Sequence, residues 1–396
     1  MRHNAAETWI VRMRDAGAAV VLVCAVACAV ALVAPAQAWA RSSEPQVSEA
    51  QAYEIQDQNG TVLAAKNADQ EMAMASITKV MTAMVALDSG KSLDDVVTID
   101  RDLSYEANAQ LIGLKTGDVL TFRELMLAML VYSGNDAASY VAIASAGSEE
   151  AFVAKMNQKA AELGMTHTHF KNPHGLEDDG HYSSAHDLVV MGRQALREYP
   201  FIAQAVVTPS ITIPVGGTQR TFNSTDDLMG SYGGLCGIKT GSVSTGTTFL
   251  GSSKQYGLQT FSCVLGCETT SGRFDDTATL MDWAYDECFD HVEFGRRTVP
   301  VRVSTYDLGF WGKVLTYPDW DVTGRSYSGR PINYKRSMQR ASMLEPNTAV
   351  GSGTWTQDGR PVTCAVYSTG NVVVGVPDIN LFALPLFVNV RELAAA

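Results

Sequence analysis

The sequence predicts an α/β protein of the α+β kind. An antiparallel sheet drawn from both ends of one domain packs against helices, and a small all-β domain follows. Three observations lead there. Strand patterns occur at 50–66 and again at 235–266, with helical periodicity between them. After about residue 292 the texture changes to short β-like pieces. The 396 residues also exceed what one hydrophobic core usually serves, so two domains are expected. The division is residues 1–40 ahead of the fold, 41–290 as the first domain and 291–396 as the second.

Composition narrows the class. The chain is 46% hydrophobic and 18% charged, as globular proteins are, and carries no repeat or low-complexity tract. A net charge of −12 argues against nucleic acid as a partner and against a basic, membrane-adsorbed surface. At the start, Arg2, Arg12 and Arg14 precede an apolar run from Ala16 to Ala34, then Pro35-Ala36-Gln37-Ala38-Trp39-Ala40. These are the parts of a secretory signal cleaved after Ala40 or Ala38. The run also approaches the length of a membrane span, so an uncleaved N-terminal anchor is the alternative. Cys28 after Ala25-Val26-Ala27 resembles a lipoprotein site, but the apolar run continues past it. Either export route puts the protein in the cell envelope. Of seven cysteines, five (Cys236, Cys263, Cys267, Cys288 and Cys364) follow this segment. An odd number in an exported chain leaves at least one thiol free or in an intermolecular bond, and buried thiols suit a core of this size.

The elements follow in order. After a lead at 41–49, strands at 50–56 and 61–66 are joined around Asn59-Gly60, a strong hairpin pair. Next comes Ala75-Ser76-Ile77-Thr78-Lys79-Val80-Met81-Thr82. Ile77, Val80, Met81 and Met84 form a helical stripe, and Gly90 is a plausible stop. A polar stretch with Asp94, Asp95, Asp100 and Asp102 reads as a surface excursion of short elements. Thr121-Phe122-Arg123-Glu124 is a capping box that opens a helix through Leu130. That helix delivers Ser133-Gly134-Asn135 on a loop, and another helix starts at Asp136. Further helices are expected at 149–163 and 185–197. Five histidines lie within 166–186, an invitation to metal. No cysteine is near, however, and the spacing matches no common metal motif, so a structured loop with hydrogen-bonded or solvated histidines is expected. Three strands at 235–242, 247–252 and 259–266 precede a helix at 271–285. Strands at 298–303, 361–366, 372–376 and 384–390 complete the β-rich part.

The chemistry concentrates in three short motifs. Ser76 and Lys79 are three apart and so share one helix face. A serine is a weak nucleophile at neutral pH, but a neighbouring uncharged lysine can take its proton if burial and nearby cations lower the amine pKa. Ser133-Gly134-Asn135 and Lys239-Thr240-Gly241-Ser242 follow in that order. Together with Ser76-x-x-Lys79 they make the triplet found in class A β-lactamases and penicillin-binding proteins. Lys115-Thr116-Gly117 repeats the third motif but precedes Ser133 and reads as a turn. The expected roles are Ser76 as nucleophile and Lys79 as its general base, hydrogen-bonded to Asn135 and Ser133. Ser133 passes the proton to the leaving amine. The backbone N–H groups of Ser76 and Ser242 receive the oxyanion. Lys239, assisted by Thr240, holds a substrate carboxylate and helps depress the Lys79 pKa. Gly241 lets a substrate backbone approach closely. The set requires no cofactor and no metal.

Residues about 48–290 resemble the low-molecular-weight penicillin-binding proteins, the D-alanyl-D-alanine carboxypeptidase family. The resemblance rests on Ala75-Ser76-Ile77-Thr78-Lys79-Val80-Met81-Thr82, Ser133-Gly134-Asn135-Asp136-Ala137-Ala138, Asn172-Pro173-His174-Gly175-Leu176, Gly237-Ile238-Lys239-Thr240-Gly241, and Arg273 with Asp282-Trp283-Ala284. It implies a transpeptidase-like fold and removal of the terminal D-alanine from peptidoglycan pentapeptides. Acylation of Ser76 by penicillins and a β-rich domain after the catalytic one are implied as well. Two features depart from the family. The chain ends Asn389-Val390-Arg391-Glu392-Leu393-Ala394-Ala395-Ala396, with Pro385 interrupting the preceding apolar run, where the family often has an amphipathic membrane helix. Ser242-Val243-Ser244-Thr245 also differs from the usual residues after Lys-Thr-Gly.

Rival readings on the same constellation are a β-lactamase and an endopeptidase that cuts cross-links. Class A β-lactamases deacylate with a glutamate downstream of the second motif. Here Glu149, Glu150 and Glu162 lie in no such setting, and Ser133-Gly134-Asn135 favours the peptidase. A non-catalytic wall-binding or sensor protein is the reading from another class, and the full set of catalytic groups argues against it.

Overall fold

A computed structural model of the chain describes residues 44–255, 257–296, 301–307, 310–327, 330–338, 347–357, 359–370 and 376–377. The predicted export segment, the first half of the strand at 298–303, nearly all of the strand at 372–376, the strand at 384–390 and the C-terminal departure from the family lie outside the described residues.

The predicted hairpin is present as β1 (Ala52–Asp57) and β2 (Val62–Lys66), antiparallel with Tyr53 opposite Lys66. Its turn is fixed by Asp57 Oδ1, which accepts from Asn59 N and Thr61 N at 2.9 and 2.8 Å. Ser76 does not lie within the α-helix. It sits in a 3-10 turn, Ala75–Ile77, that leads into α1 (Thr78–Asp88). Residues Thr78 to Ala86 are all buried, so α1 is a central helix covered on every side rather than a surface helix with one apolar stripe.

β3 (Val96–Thr98) pairs with β4 (Val119–Thr121), giving order to the polar excursion. α2 (Phe122–Val131) opens with the predicted capping box: Glu124 N donates to Thr121 Oγ1 and Thr121 N donates to Glu124 Oε2. α3 (Asn135–Ala146) begins one residue earlier than predicted. α4 (Glu149–Glu162) and α5 (Ala185–Glu198) are capped by Ser148 and Ser184. Sequence patterning gave no sign of α6 (Pro200–Ala205) or of the hairpin β5 (Ser210–Val215) and β6 (Thr218–Asn223).

The three successive strands are β7 (Leu235–Val243), β8 (Gly246–Gln255) and β9 (Leu258–Cys267). β9 also pairs with β1, giving an antiparallel sheet in the order β2-β1-β9-β8-β7. Strands from both ends of the domain therefore share one sheet, as predicted, and β7 lies at its edge. The helices α1 to α6 pack on one side around Met81, Met84, Phe122, Met129 and Phe152. The other side is covered by α7 (Thr270–Glu287), whose Phe274, Leu280 and Met281 meet Phe249 and Val264.

The remainder is β-rich: β10 (Phe289–Gly295), β11 (Val301–Asp307), β12 (Phe310–Pro318), β13 (Val322–Tyr327), β14 (Asn333–Met338), β15 (Ala349–Gln357), β16 (Arg360–Thr369) and β17 (Val376–Pro377). β10 pairs with β13, and a second sheet runs β11-β12-β16-β15-β14 with β17 on β12. The expected domain boundary at 290/291 falls inside β10. This β-rich part is fastened to the first through Arg325 Nη1, which donates to the Tyr285 carbonyl of α7 at 3.2 Å and, within the β-rich part, to that of Phe289 at 3.3 Å. The Tyr327 hydroxyl also donates to the Asp57 carboxylate.

Candidate active site

Ser76 is half-buried at the mouth of α1, and Ala75 before it takes a left-handed φ of +52°. A non-glycine residue there costs about 1–2 kcal/mol, so the surroundings must enforce the turn. They do so through side chains. His181 Nδ1 accepts from Lys171 N at 3.0 Å, which puts the ring proton on Nε2. Nε2 then donates to Thr78 Oγ1 at 2.8 Å, and Thr78 Oγ1 donates to the Ala75 carbonyl at 2.8 Å. Two glycines close on the same turn. A Cβ on Gly175, at φ +91°, would lie 2.0 Å from Ala75 O and 2.9 Å from Ser76 N. One on Gly241 would lie 2.7 Å from Ala75 Cβ. Ser76 is thus held between the loop that follows Pro173 and strand β7.

Lys79 is fully buried, and its Nζ has three partners: Ser76 Oγ at 2.8 Å, Asn135 Oδ1 at 2.7 Å and His174 O at 2.5 Å. Asn135 Oδ1 and His174 O can only accept. They take two N–H groups of the amine and leave its third position facing the Ser76 hydroxyl. An uncharged amine offers a lone pair there. Burial holds the Lys79 pKa well below the ordinary lysine range, and the charge of Lys239 pushes it further down, while Asp136 opposes.

Ser133 departs from expectation. It is buried, with a left-handed φ of +69°, two residues before Asn135, but it shares no hydrogen bond with Lys79. The His174 carbonyl occupies the place foreseen for it. Asn135 itself is the first residue of α3, set by Asn135 N donating to Gln110 O at 2.8 Å. Asp136 next to it accepts from Ile112, Gly113 and Leu114 N at 3.0, 2.8 and 3.0 Å, tying loop 110–114 to the start of α3.

On β7, Lys239 is 2% exposed with Nζ 3.2 Å from Thr240 O, and Thr240 Oγ1 bonds Thr225 Oγ1 at 2.6 Å. Burial pushes the Lys239 pKa down to about 7, helped by Arg273 and opposed by Asp226. Arg273, on α7, donates from Nη1 to Gly241 O at 2.8 Å and Ser242 Oγ at 3.0 Å. Lys239 and Arg273 make a cationic floor beside the β7 edge, suited to an anionic group. Asp226 lies by it, its pKa raised to about 6 by burial, and its Oδ2 has no partner among the described residues.

Sequence reasoning missed the parts played by His174, Gly175, Asp136 and Asp226. The Asn172-Pro173-His174-Gly175-Leu176 match marked the loop, but there it is a carbonyl and the lack of a Cβ that meet the site, and side-chain patterns carry neither. Two more histidines of the stretch hold structure: His186 Nδ1 meets both Glu54 oxygens at 3.0 Å, and His169 Nδ1 meets Gly180 O at 2.7 Å. Lys115-Thr116-Gly117 is an exposed turn, with Thr116 N and Oγ1 bonded to Asp102 Oδ1.

Comparison with known proteins adds a lineage. The family described as D-alanyl-D-alanine carboxypeptidase matches residues 39–269. The D-alanyl-D-alanine carboxypeptidase DacA of Escherichia coli K12 is 31% identical over 337 residues, 80% of this chain and 82% of that protein. Penicillin-binding protein 5 from Haemophilus influenzae shares the fold at TM-score 0.61 and 24% identity, over 84% of this chain and 99% of that one. Penicillin-binding protein D2 from Listeria monocytogenes, solved with cefotaxime bound, has TM-score 0.56 and 30% identity, over 61% of this chain and 100% of its own.

Proposed function

The chain belongs to the D-alanyl-D-alanine carboxypeptidase family and is a serine-type enzyme of that activity, and from this premise we propose that Ser76 carries the acyl group and Lys79 is its base. The observation that supports these roles most is the buried amine with two N–H groups committed to carbonyls and its remaining position 2.8 Å from Ser76 Oγ.

In this reading a peptide ending in D-Ala-D-Ala lies along the free edge of β7. Its terminal carboxylate rests by Lys239 and Thr240, with Arg273 behind them. Lys79 takes the Ser76 proton as Oγ attacks the carbonyl carbon of the penultimate D-alanine. The N–H groups of Ser76 and Ser242 receive the developing oxyanion, each worth roughly 10²–10³ in rate. Lys79 returns the proton to the amide nitrogen as the C–N bond breaks, releasing D-alanine. Ser133 joins that path as substrate enters: once Ser76 Oγ has bonded to carbon, the Ser133 hydroxyl takes the proton from Lys79 in its place and passes its own to the leaving nitrogen. Water, deprotonated by the same amine, then hydrolyses the ester. A β-lactam presents an amide carbonyl and carboxylate in similar relation and acylates Ser76 likewise.

Family members act on wall peptidoglycan, which is extracytoplasmic. The first 40 residues serve as the export signal in our reading, residues 41–290 as the catalytic domain and 291–396 as a β-rich spacer or docking module. The test is incubation of the protein with a D-Ala-D-Ala-ended pentapeptide. Release of one D-alanine per peptide, abolished by Ser76→Ala, is expected. Turnover that survives Ser76→Ala overturns the assignment.

A further inference from the structure

Two segments flank Ser76, and one carboxylate ties them together. The first is the loop after Pro173, which carries the His174 carbonyl on Lys79 and presses Gly175 against Ala75. The second is β7, which presses Gly241 against the same alanine. Beyond both contacts, Glu177 Oε1 accepts from Ser244 N at 3.0 Å and from Ser244 Oγ at 2.7 Å. Ser244 is the first residue of the turn between β7 and β8, directly after the strand that carries Lys239-Thr240-Gly241-Ser242. Glu177 is therefore a clasp from the loop to the end of the edge strand.

Its position relative to a bound peptide follows from the acyl-transfer reading above, on which this inference rests. With the substrate carboxylate at Lys239 and the scissile carbonyl at Ser76 and Ser242, the acyl part continues along β7 towards Val243 and Ser244. At about 3.3 Å per residue, the residue before the scissile D-alanine comes alongside Val243 and Ser244. There the main-chain donor of Ser244 is already taken by Glu177.

We propose that Glu177, through Ser244, is a specificity-determining residue that closes the acyl end of the groove and selects linear peptides over peptides acylated on the side chain of that residue, the branched form found in a cross-link. A free side-chain amine there also finds a carboxylate beside it, whereas an acylated one brings bulk and no charge.

The test uses two peptides ending in D-Ala-D-Ala, identical except that the side-chain amine of the residue before the scissile D-alanine is free or carries a tripeptide. D-alanine release gives kcat/KM for each, and penicillin labelling of Ser76 shows that every variant is folded. Glu177→Ala is expected to raise the branched-to-linear ratio at least about threefold. Glu177→Gln, whose amide oxygen still accepts from Ser244, is expected to stay closer to the wild-type ratio. An unchanged ratio in a labelled Glu177→Ala protein overturns the clasp and leaves the enzyme assignment standing. Failure of the wild type to release D-alanine from the linear peptide overturns the acyl-transfer reading instead.

Discussion

The backbone carbonyl of His174 accepts a hydrogen bond from Lys79 Nζ at 2.5 Å. The direction in which that amine faces Ser76 is therefore set partly by main chain, in a loop whose next residue, Gly175, stands at φ +91° against Ala75. Gly175→Ala adds a Cβ 2.0 Å from Ala75 O in a backbone region that costs an L-residue about 1–2 kcal/mol. The loop must retreat and carry the carbonyl with it. Acylation of Ser76 by penicillin is expected to slow on the order of 10²-fold, with a lower Tm. Stopped-flow labelling and thermal unfolding of the variant check this.

In the proposed mechanism Lys79 and Lys239 act in opposite protonation states, which shapes the pH profile. The base must be uncharged, so acylation rises with pH through the depressed Lys79 pKa. The carboxylate binder must be charged, and burial has pushed Lys239 down to about 7, so kcat/KM for a peptide with a free C-terminus falls as pH rises beyond about 7. The expected bell is checked by repeating the profile with a C-terminally amidated peptide. The alkaline limb should vanish with the carboxylate.

His181 is held down at about 4 and His174 at about 3, in both cases first by burial, against an ordinary value of 6.5. A depressed pKa means the unfolded chain binds the proton more tightly. The stability these rings contribute is fully present above pH 6.5 and is lost as pH falls towards 4. Protonation of His181 Nδ1 also breaks its bond to Lys171 N and with it the relay through Thr78 to Ala75. Urea unfolding at pH 7 and pH 4.5 should show a smaller acid loss in His181→Gln than in the wild type.

Asp136 receives three backbone N–H groups of loop 110–114 while buried at the start of α3. Asp136→Asn removes an acceptor and the charge that favours the helix N-terminus. A loss of about 2–3 kcal/mol in unfolding free energy is expected. Denaturant titration reads it, and a change below about 0.5 kcal/mol speaks against this role.

Features with a side-chain period or a cap were legible before the structure. The β1–β2 hairpin announced itself through Asn59-Gly60, α2 through its capping box, and the shared sheet through strands at both ends of the domain. That Ser76, Lys79 and Asn135 meet could be anticipated because each is a reactive or polar side chain in a dense motif, and Lys239 was singled out on the same ground. The 3-10 turn was not legible, since it depends on Ala75 being forced to φ +52° by Gly175, His181 and Thr78, which are distant in sequence. Nor was the exchange of Ser133 for the His174 carbonyl on Lys79, because every residue has a carbonyl. β14 escaped for a different reason: Asn333–Met338 is exposed along almost its whole length and shows no alternation.

The pairing of Ser76 with Lys79 is tested most directly by mapping the penicillin adduct and timing its formation in the wild type and in Lys79→Ala. A single penicilloyl group on the peptide that holds Ser76, formed at least about 10³-fold more slowly without the lysine, is the predicted result. An adduct on any other residue, or an undiminished rate in Lys79→Ala, contradicts it.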